Sequence, residues 1–402
     1  MQWDGNIRPR LRPVEAFGLP EGNGAMIGLR DRSGLSDVVL SLSAPALHIL
    51  AMMDGENCLD EIRGMFFDRF GQPLSEQTIG AMLDHLEDAH LLEGPGFEAH
   101  YQSRLHAFRA SGMREMPNAG GLGIDAAGAV FEDMLSSAAP PVAARTLRGV
   151  IAPHLDYPRG RPCYTAAYSA LRGRAVPDRI IILGTNHFGR SAAVVATAND
   201  FHTPLGRTEV DRAFLEQLES RCGDLRAFEL DHAREHSIEL QVAWLQHLFG
   251  AEKFTILPVL CPDPCGPTGT APRDGKGVDL REFATALAKL IAADAADTLF
   301  VTGADLSHVG AAFGDERELD ESLLDAVRQR DRLALTALVE NGAEAFLSAV
   351  AQEDNPTRVC SAGCIFALAH ALSDASASLV GYHQAVDHPS QTCVSCAAVL
   401  YA

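Results

Sequence analysis

Short, continuous apolar runs divide the second half of the chain. They alternate with segments of helical length, of which residues 235–249 and 280–293 have the apolar spacing of helices that cover a sheet. Strands that are covered on both faces have such uninterrupted apolar runs. We therefore predict an α/β domain with a central sheet and covering helices over residues 148–402, with strands at 148–152, 180–183, 254–260, 298–302, 378–386 and 393–400.

The first 95 residues have a different pattern. A strand-like segment at 37–42 precedes three apolar stretches with helical periodicity. Ser43 and Ser75 stand where helix caps are expected, and Asp54-Gly55 and Gly71 stand where helices would end. The pattern predicts a small α+β domain that resembles a winged helix.

The segment between these regions is rich in Gly, Ala, Ser and Pro, for example at Asn118-Ala119-Gly120-Gly121 and Ala139-Pro140-Pro141. Such residues favour turns and loops. We predict a linker at 96–147 that contains one helix near 127–136. The expected domains are therefore 1–95, 96–147 and 148–402.

Composition and charge narrow the function classes. The chain of 402 residues has 53 acidic and 33 basic residues, a formal net charge of −20, which disfavours nucleic acid as a partner. No apolar run approaches the roughly 20 residues of a membrane span, and the N-terminus lacks a signal pattern. The nine cysteines are an odd number scattered along the chain, which is typical of reduced thiols. We expect a cytoplasmic protein without a membrane or nucleic-acid partner.

Polar side chains follow three of the predicted strands. The sequence places His154 after the first strand, His187 after the second, and Asp305 and His308 after the fourth. Ligands of open α/β sheets bind beyond the carboxyl ends of the strands. A single histidine is more often a packed residue, but three at equivalent strand ends predict a shared metal or catalytic site. Imidazole and carboxylate ligands suit iron, zinc, copper and nickel.

Two further segments carry candidate chemistry. Cys360 lies beside Arg358 and just before an apolar helical pattern, where a thiolate is stabilised and serves as a ligand or a nucleophile. His236 and Glu239 open a predicted helix and could face the same pocket, although a charged first turn is also common on helix surfaces. Asp156 and Asp305 are candidates to orient metal-bound imidazoles.

Seven motifs of the large domain resemble those of the Memo family, which includes members of the AmmeMemoRadiSam system. They occur in the family's order across residues 148–402: Ala152-Pro153-His154, Gly184-Thr185-Asn186-His187, Thr203-Pro204-Leu205-Gly206, Glu235-His236-Ser237-Ile238-Glu239, Ile256-Leu257-Pro258-Val259, Asp305-Leu306-Ser307-His308 and Cys360. The family fold is similar to that of class III extradiol dioxygenases. Residues 30–93 resemble PqqD-like domains, winged-helix-like modules that typically bind a leader peptide.

The Memo resemblance implies roles for individual residues. It implies a metal held by His154, His187 and Cys360, with His308 as acid/base and with Asp305 and His236 lining the pocket. The expected cofactor is one metal ion, Fe(II) in the first place and Cu or Zn as alternatives. Family resemblance also suggests radical-SAM or AMMECR1-type partner proteins. The chain departs from many relatives at Asp156, where they carry glycine, and in its extra N-terminal domain.

Three functions remain open from the sequence. The first is a mononuclear metal oxidoreductase that acts on a small molecule or a modified peptide with O₂. The second is a non-catalytic metal-binding or peptide-binding scaffold. The third is a metal-dependent hydrolase with a metal-bound water as nucleophile.

Overall fold

The structure, a computed structural model, describes residues 3–19, 26–116, 126–137 and 147–402. It divides into two compact units, Met1–Ala107 and Phe108–Ala402. The predicted turn segments at 118–121 and 139–141 lie outside the described residues. Within the described ranges, no helix is both long and apolar enough to cross a membrane.

The first unit combines a small antiparallel sheet with helices. Its strands are adjacent in chain order: β1 (Val14–Gly18), β2 (Met26–Asp31) and β3 (Val39–Ser43). Its helices are α1 (Ala44–Ala51), α2 (Leu59–Phe70), α3 (Glu76–Asp88) and α4 (Pro95–Ser111), of which α4 continues past the boundary between the units. The sequence predicted α1 to α3 and β3, but not β1 and β2. Many residues of these two strands are only partly buried, so their apolar and polar positions do not alternate clearly.

Helix ends in this unit follow local chemistry. The Ser75 side chain accepts a hydrogen bond from the Thr78 N–H at the start of α3, and Gly71 ends α2 in the left-handed conformation at φ 65°. Ser43 stands at the predicted cap of α1, but its side chain makes no cap hydrogen bond. The core that these elements enclose includes Ile62 and Leu83, both fully buried.

Helix α4 occupies part of the segment predicted as a linker. Its residues Phe97, Tyr101 and Leu105 recur every four positions and are buried, which is the spacing of one helix face. The turn-forming residues farther along this segment obscured the pattern. The helix predicted near 127–136 is present as α5 (Ala127–Ser136).

The second unit is built on a large mixed sheet. Its strands are β4 (Met113–Glu115), β5 (Gly149–Ala152), β6 (Arg179–Thr185), β7 (Val195–Ala196), β8 (Asp200–Thr203), β9 (Gly206–Thr208), β10 (Thr255–Cys261), β11 (Thr298–Gly303), β12 (Asp305–Gly310), β13 (Ala377–Asp387) and β14 (Thr392–Tyr401). The sheet order is β12-β14-β5-β11-β6-β10-β7, with β13 also paired to β14, and β4, β8 and β9 form a separate small sheet. The strands β5, β11, β6 and β10 are parallel, and the other pairings of the large sheet are antiparallel. The predicted α/β class is confirmed.

Helices cover both faces of this sheet. They are α5, α6 (Tyr157–Ser169), α7 (Arg212–Cys222), α8 (His236–Phe249), α9 (Leu280–Ala293), α10 (Glu321–Asn341), α11 (Ala343–Val350) and α12 (Ala362–Ala371). Successive strand residues point to opposite faces. Accordingly, Ile181 and Leu183 pack into an apolar layer with α7, α9 and α12, whereas Ile180 and Ile182 pack into a second layer with α5, α6 and α8.

The pairing of β14 brings two distant segments together. β13 pairs along nearly the whole of β14, so β5 and β12 must share the other edge: Val399 pairs with Ile151 of β5, and Cys396 pairs with Asp305 of β12. The sequence predicted a polar segment with Asp305 and His308 after the fourth strand. In the structure, the chain turns after β11 and forms the short strand β12, which starts near the carboxyl end of β5.

Candidate metal centre

Three histidines meet beyond the carboxyl ends of the central strands. His154 follows β5, His187 follows β6, and His236 is the first residue of α8. One ring nitrogen of each lies within 4.8 Å of those of the other two, and the ring centroids are 4.8 to 5.4 Å apart. We call these residues the histidine cluster. It is a candidate site for a single metal ion.

Hydrogen bonding fixes the orientation of His154. Its Nδ1 lies 3.0 Å from the Gly303 carbonyl oxygen, which can only accept, so Nδ1 carries the proton and Nε2 keeps its lone pair. Nε2 is 3.4 Å from Cys360 Sγ and 3.4 Å from Asp305 Oδ2. Burial, with His187 and His236 nearby, keeps the pKa of His154 well below its ordinary value. The imidazole is therefore neutral and ready to act as a ligand.

Glu235 connects the other two histidines. Its carboxylate oxygens are 3.0 and 3.1 Å from His187 Nδ1, and Oε1 is 3.4 Å from His236 Nδ1. The same carboxylate accepts hydrogen bonds from the backbone N–H groups of His187 and Ser237. Carboxylates in this position orient metal-bound imidazoles and leave Nε2 for the ion. Glu235 was quoted in the sequence motif, but its role depends on contacts that the sequence does not show.

The electrostatics of Glu235 and His187 favour a cation. Burial lowers the pKa of His187, but Glu235 and a hydrogen bond with Cys360 outweigh it and raise that pKa well above its ordinary value. Burial raises the pKa of Glu235, but the neighbouring His187 outweighs it and holds that pKa below its ordinary value. Burial is also the main reason why the pKa of His236 falls to about 4. Positive charge is thus stabilised at His187 beside Glu235 but not at His236, and a metal cation bound at His187 would supply the same charge.

Cys360 reaches the cluster from a tightly constrained turn. It precedes α12, whose N-cap is Ser361, and its Sγ is 3.3 Å from Ser361 Oγ. Backbone φ angles are positive at Glu353, Asp354, Asn355 and Arg358, a backbone conformation that residues other than glycine rarely adopt.

Hydrogen bonds hold that turn in place. The Asn355 side chain accepts from the Val359 N–H, and the Arg358 Nε donates to the His308 carbonyl oxygen. The Arg358 side chain also pairs with Asp315. The sequence placed Arg358 beside the thiol, and the structure directs its guanidinium to these two partners.

Asp305 and His308 line the same region from β12. The Asp305 Oδ1 accepts from the His154 N–H at 3.1 Å, and burial raises the pKa of this carboxyl to about 7. The His308 Nδ1 is 3.0 Å from the Leu306 carbonyl oxygen, and its ring lies 5.1 Å from that of Phe313. Burial lowers the pKa of His308 to about 4, so it is a neutral base at pH 7.

Asp156 has a different role from the one suggested by the sequence. Its side chain accepts a hydrogen bond from the Arg159 N–H at the start of α6 and pairs with the Arg159 guanidinium. It is therefore a helix cap. The capping position was readable from the Asp156-Tyr157-Pro158 sequence, because proline favours the first turn of a helix.

The donor set fits a mononuclear transition-metal ion. Tetrahedral coordination with a metal–nitrogen distance of about 2.0 Å and a metal–sulfur distance of about 2.3 Å places nitrogen and sulfur roughly 3.5 Å apart. The separation of 3.4 Å between His154 Nε2 and Cys360 Sγ is compatible with a shared ion. Imidazoles with a thiolate suit iron, copper or zinc, and they do not suit Ca²⁺ or Mg²⁺, which prefer oxygen ligands.

Comparison with known proteins adds independent findings. A family model described as "Memo-like protein" matches residues 125–400. A MEMO1 family protein of Aquifex aeolicus is 25% identical over 353 residues, covering 87% of this chain and 88% of that protein. A MEMO1 family protein of Thermus thermophilus is 28% identical and covers 85% of this chain and 98% of its own length. One from Methanopyrus kandleri is 41% identical over 116 residues, which are 28% of this chain and 40% of that protein.

The longest of these alignments extend beyond the second unit. That unit, Phe108–Ala402, contains 295 of the 402 residues, or about 73% of the chain, whereas 87% of the chain aligns with the Aquifex aeolicus protein. Part of the first unit is therefore included in the similarity, although the family model begins only at residue 125.

Proposed function

Because the chain belongs to the Memo family, we propose that it is a mononuclear metal oxidoreductase that acts on a small molecule or a modified peptide with O₂. The convergence of the histidine cluster with Cys360 carries this proposal. His154, His187 and Cys360 are the proposed ligands. Fe(II) is the expected ion, with copper or zinc as alternatives.

The geometry gives His236 a second candidate role. The sequence suggested it as a pocket residue with a catalytic function, and in the structure its ring nitrogen lies among the potential ligand atoms. A third imidazole would complete a four-donor set with the three proposed ligands. The metal content of a His236→Ala variant separates the two roles, because a ligand variant loses metal and a catalytic variant keeps it.

The remaining residues of the pocket would bind and orient the substrate. When bound, an iron or copper ion supplies one-electron redox chemistry. His308, neutral at pH 7, can accept a proton from a substrate at a ring nitrogen, and Asp305 holds the backbone of His154 in place. The rings of Phe188 and Phe313 lie 5.6 Å from His187 and 5.1 Å from His308, and they provide apolar surface beside both residues.

Metal analysis of anaerobically purified protein tests the proposal. We expect about one iron or copper ion per chain, and O₂ consumption by the loaded protein with ascorbate as reductant. A protein that binds zinc alone, consumes no O₂ and cleaves a model ester would indicate the hydrolase instead. Stoichiometric metal without either activity would indicate a metal-binding scaffold.

A second candidate function, peptide binding, is favoured by a groove in the first unit. The groove has a volume of about 250 Å³ between β3 and α3 and is lined mainly by apolar side chains, among them Leu40, Leu42, Met82 and Leu86. β3 is the last strand of its sheet, and an extended peptide could pair with its edge. This agrees with the proposed PqqD-like character of residues 30–93. Peptides selected from a display library should bind the full chain and lose binding in Met82→Arg.

The cellular context is also a proposal. A cytoplasmic location and radical-SAM or AMMECR1-type partners are consistent with membership of the family. Co-purification of the full chain with radical-SAM and AMMECR1-type proteins would test the partners, and cell fractionation would test the location.

A further inference from the structure

An arginine that precedes the residues matched by the family model contacts the segment that carries His236. Arg114 belongs to β4, which pairs with β8 in the small sheet, and it precedes the matched residues 125–400. Its side chain is only 1% exposed. A buried guanidinium is always charged and has five N–H donors to satisfy, so its partners are informative.

The hydrogen-bond and ion-pair partners of the Arg114 guanidinium lie in residues 232–239, the segment that contains Glu235 and His236. Its Nε donates to the His232 carbonyl oxygen at 3.0 Å, and its Nη2 donates to the Glu235 carbonyl oxygen. Its Nη1 pairs with the carboxylate of Glu239, which is fully buried. One side chain thus joins three points between residues 232 and 239.

That segment directly positions two of the three histidines. The Glu235 main chain is bound by Arg114, while the Glu235 side chain holds His187 and His236. His236 follows Glu235 in sequence, so a change in the backbone at 235 would move both imidazoles.

We propose that Arg114 is a positioning residue of the metal centre, and that the segment before the Memo-matched residues therefore contributes to metal binding. The inference rests on the proposed function, since it requires that the histidine cluster hold a metal ion. Residues that orient metal ligands change metal affinity by about 10–100-fold when they are replaced. Arg114 acts one step farther away, through Glu235 and His236.

The variant that isolates this role is Arg114→Met/Glu239→Leu. Removing Arg114 alone would leave the Glu239 carboxylate buried without its partner, whereas replacing both members of a buried pair by apolar residues often preserves stability. The double variant therefore removes the two carbonyl contacts without stranding a charge. Arg109→Gln is the matched control, because Arg109 lies in the same part of the chain, bonds the Arg226 carbonyl oxygen and pairs with Glu229.

Anaerobic Co(II) titration of the full chain provides the measurement, with the d–d absorption bands reporting ligand geometry. We expect about a 10-fold or greater loss of Co(II) affinity and altered bands in the double variant, and wild-type values in Arg109→Gln. A folded double variant with wild-type affinity and bands would overturn the proposal.

Arg114→Lys keeps the test decisive if the double variant does not fold. Lysine preserves the charge next to Glu239 but cannot bond two carbonyl groups with a planar fork. Weaker Co(II) binding is expected, and unchanged binding would again overturn the proposal. His154→Ala distinguishes a failure of the proposed role of Arg114 from a failure of the proposed metal centre. If it binds Co(II) as tightly as the wild type, the proposed metal centre itself is wrong.

Discussion

The two units of the chain differ most in the polar groups that the second unit buries and in the apolar side chains that the first unit exposes. In the second unit, His154, Glu235, Glu239, Asp305 and Arg114 are at most 2% exposed. Ten large hydrophobic residues are exposed among the described residues of the chain. Six of them lie in the first unit: Met26, Val38, Val39, Met65, Phe67 and Phe70.

This contrast suggests different roles for the two units. A buried polar group costs free energy unless it is paired, so an interior with so many of them is organised around a site. Exposed apolar surface instead marks regions of contact. Among the described residues, the three histidines that could hold a metal ion lie in the second unit. We therefore propose metal chemistry for that unit and recognition for the first.

The largest expected effect is the loss of the metal in His154→Ala. His154 is buried and neutral, and its Nε2 lies 3.4 Å from both Cys360 Sγ and Asp305 Oδ2, so its loss removes a nitrogen donor from the centre of the proposed ligand set. Metal analysis after purification should find almost no ion. His388→Ala, at an exposed histidine, is the control and should keep its metal. Full metal content in His154→Ala would remove the basis for assigning chemistry to the second unit.

His308→Ala should retain the metal but slow turnover by about 10²–10⁴-fold, the usual scale for general acid–base catalysis. The measurement is O₂ consumption with ascorbate, together with metal content. His308 contacts the Leu306 carbonyl and Phe313, and it reaches the pocket from β12 rather than from a central parallel strand. If the metal is lost as in His154→Ala, His308 is a ligand and not a base.

Leu83→Ala should destabilise the first unit without changing metal binding. Leu83 is fully buried in the core of that unit, and its truncation should lower the free energy of unfolding by about 2–5 kcal/mol. Thermal unfolding followed by circular dichroism should show a transition at a lower temperature, while the Co(II) affinity stays at the wild-type value. Phe67→Ala, at a residue 52% exposed, should change stability by no more than about 0.5 kcal/mol. A parallel fall in Co(II) affinity would mean that the two units are energetically coupled.

Glu235→Gln should give the smallest of these effects, a 10–100-fold loss of metal affinity. Glutamine keeps one oxygen acceptor for His187 Nδ1 but removes the negative charge that favours a cation in the pocket. Co(II) titration measures the change, and Glu344→Gln, at an exposed ion pair with Arg281, is the control. Wild-type affinity in Glu235→Gln would mean that the buried carboxylate supports only the fold.

The sequence by itself determined the central strands of the second unit and their order along the chain. Apolar runs identified β5, β6, β10, β11 and β14, because a strand covered on both faces must be apolar along its length. The same local pattern placed His154 and His187 at strand ends, and the parallel arrangement of those strands brings both residues to one edge of the sheet.

Tertiary structure decided how the site is completed. β12 shares an edge of β14 with β5, which brings Asp305 to His154 across 151 positions of the chain. Glu235 joins His187 across 48 positions, and Arg114 reaches Glu239 across 125. No local pattern encodes such contacts, because the residues next to a carboxylate or guanidinium in the sequence do not show whether it is buried. Its burial is tolerated only because of hydrogen-bond partners that are distant in the sequence.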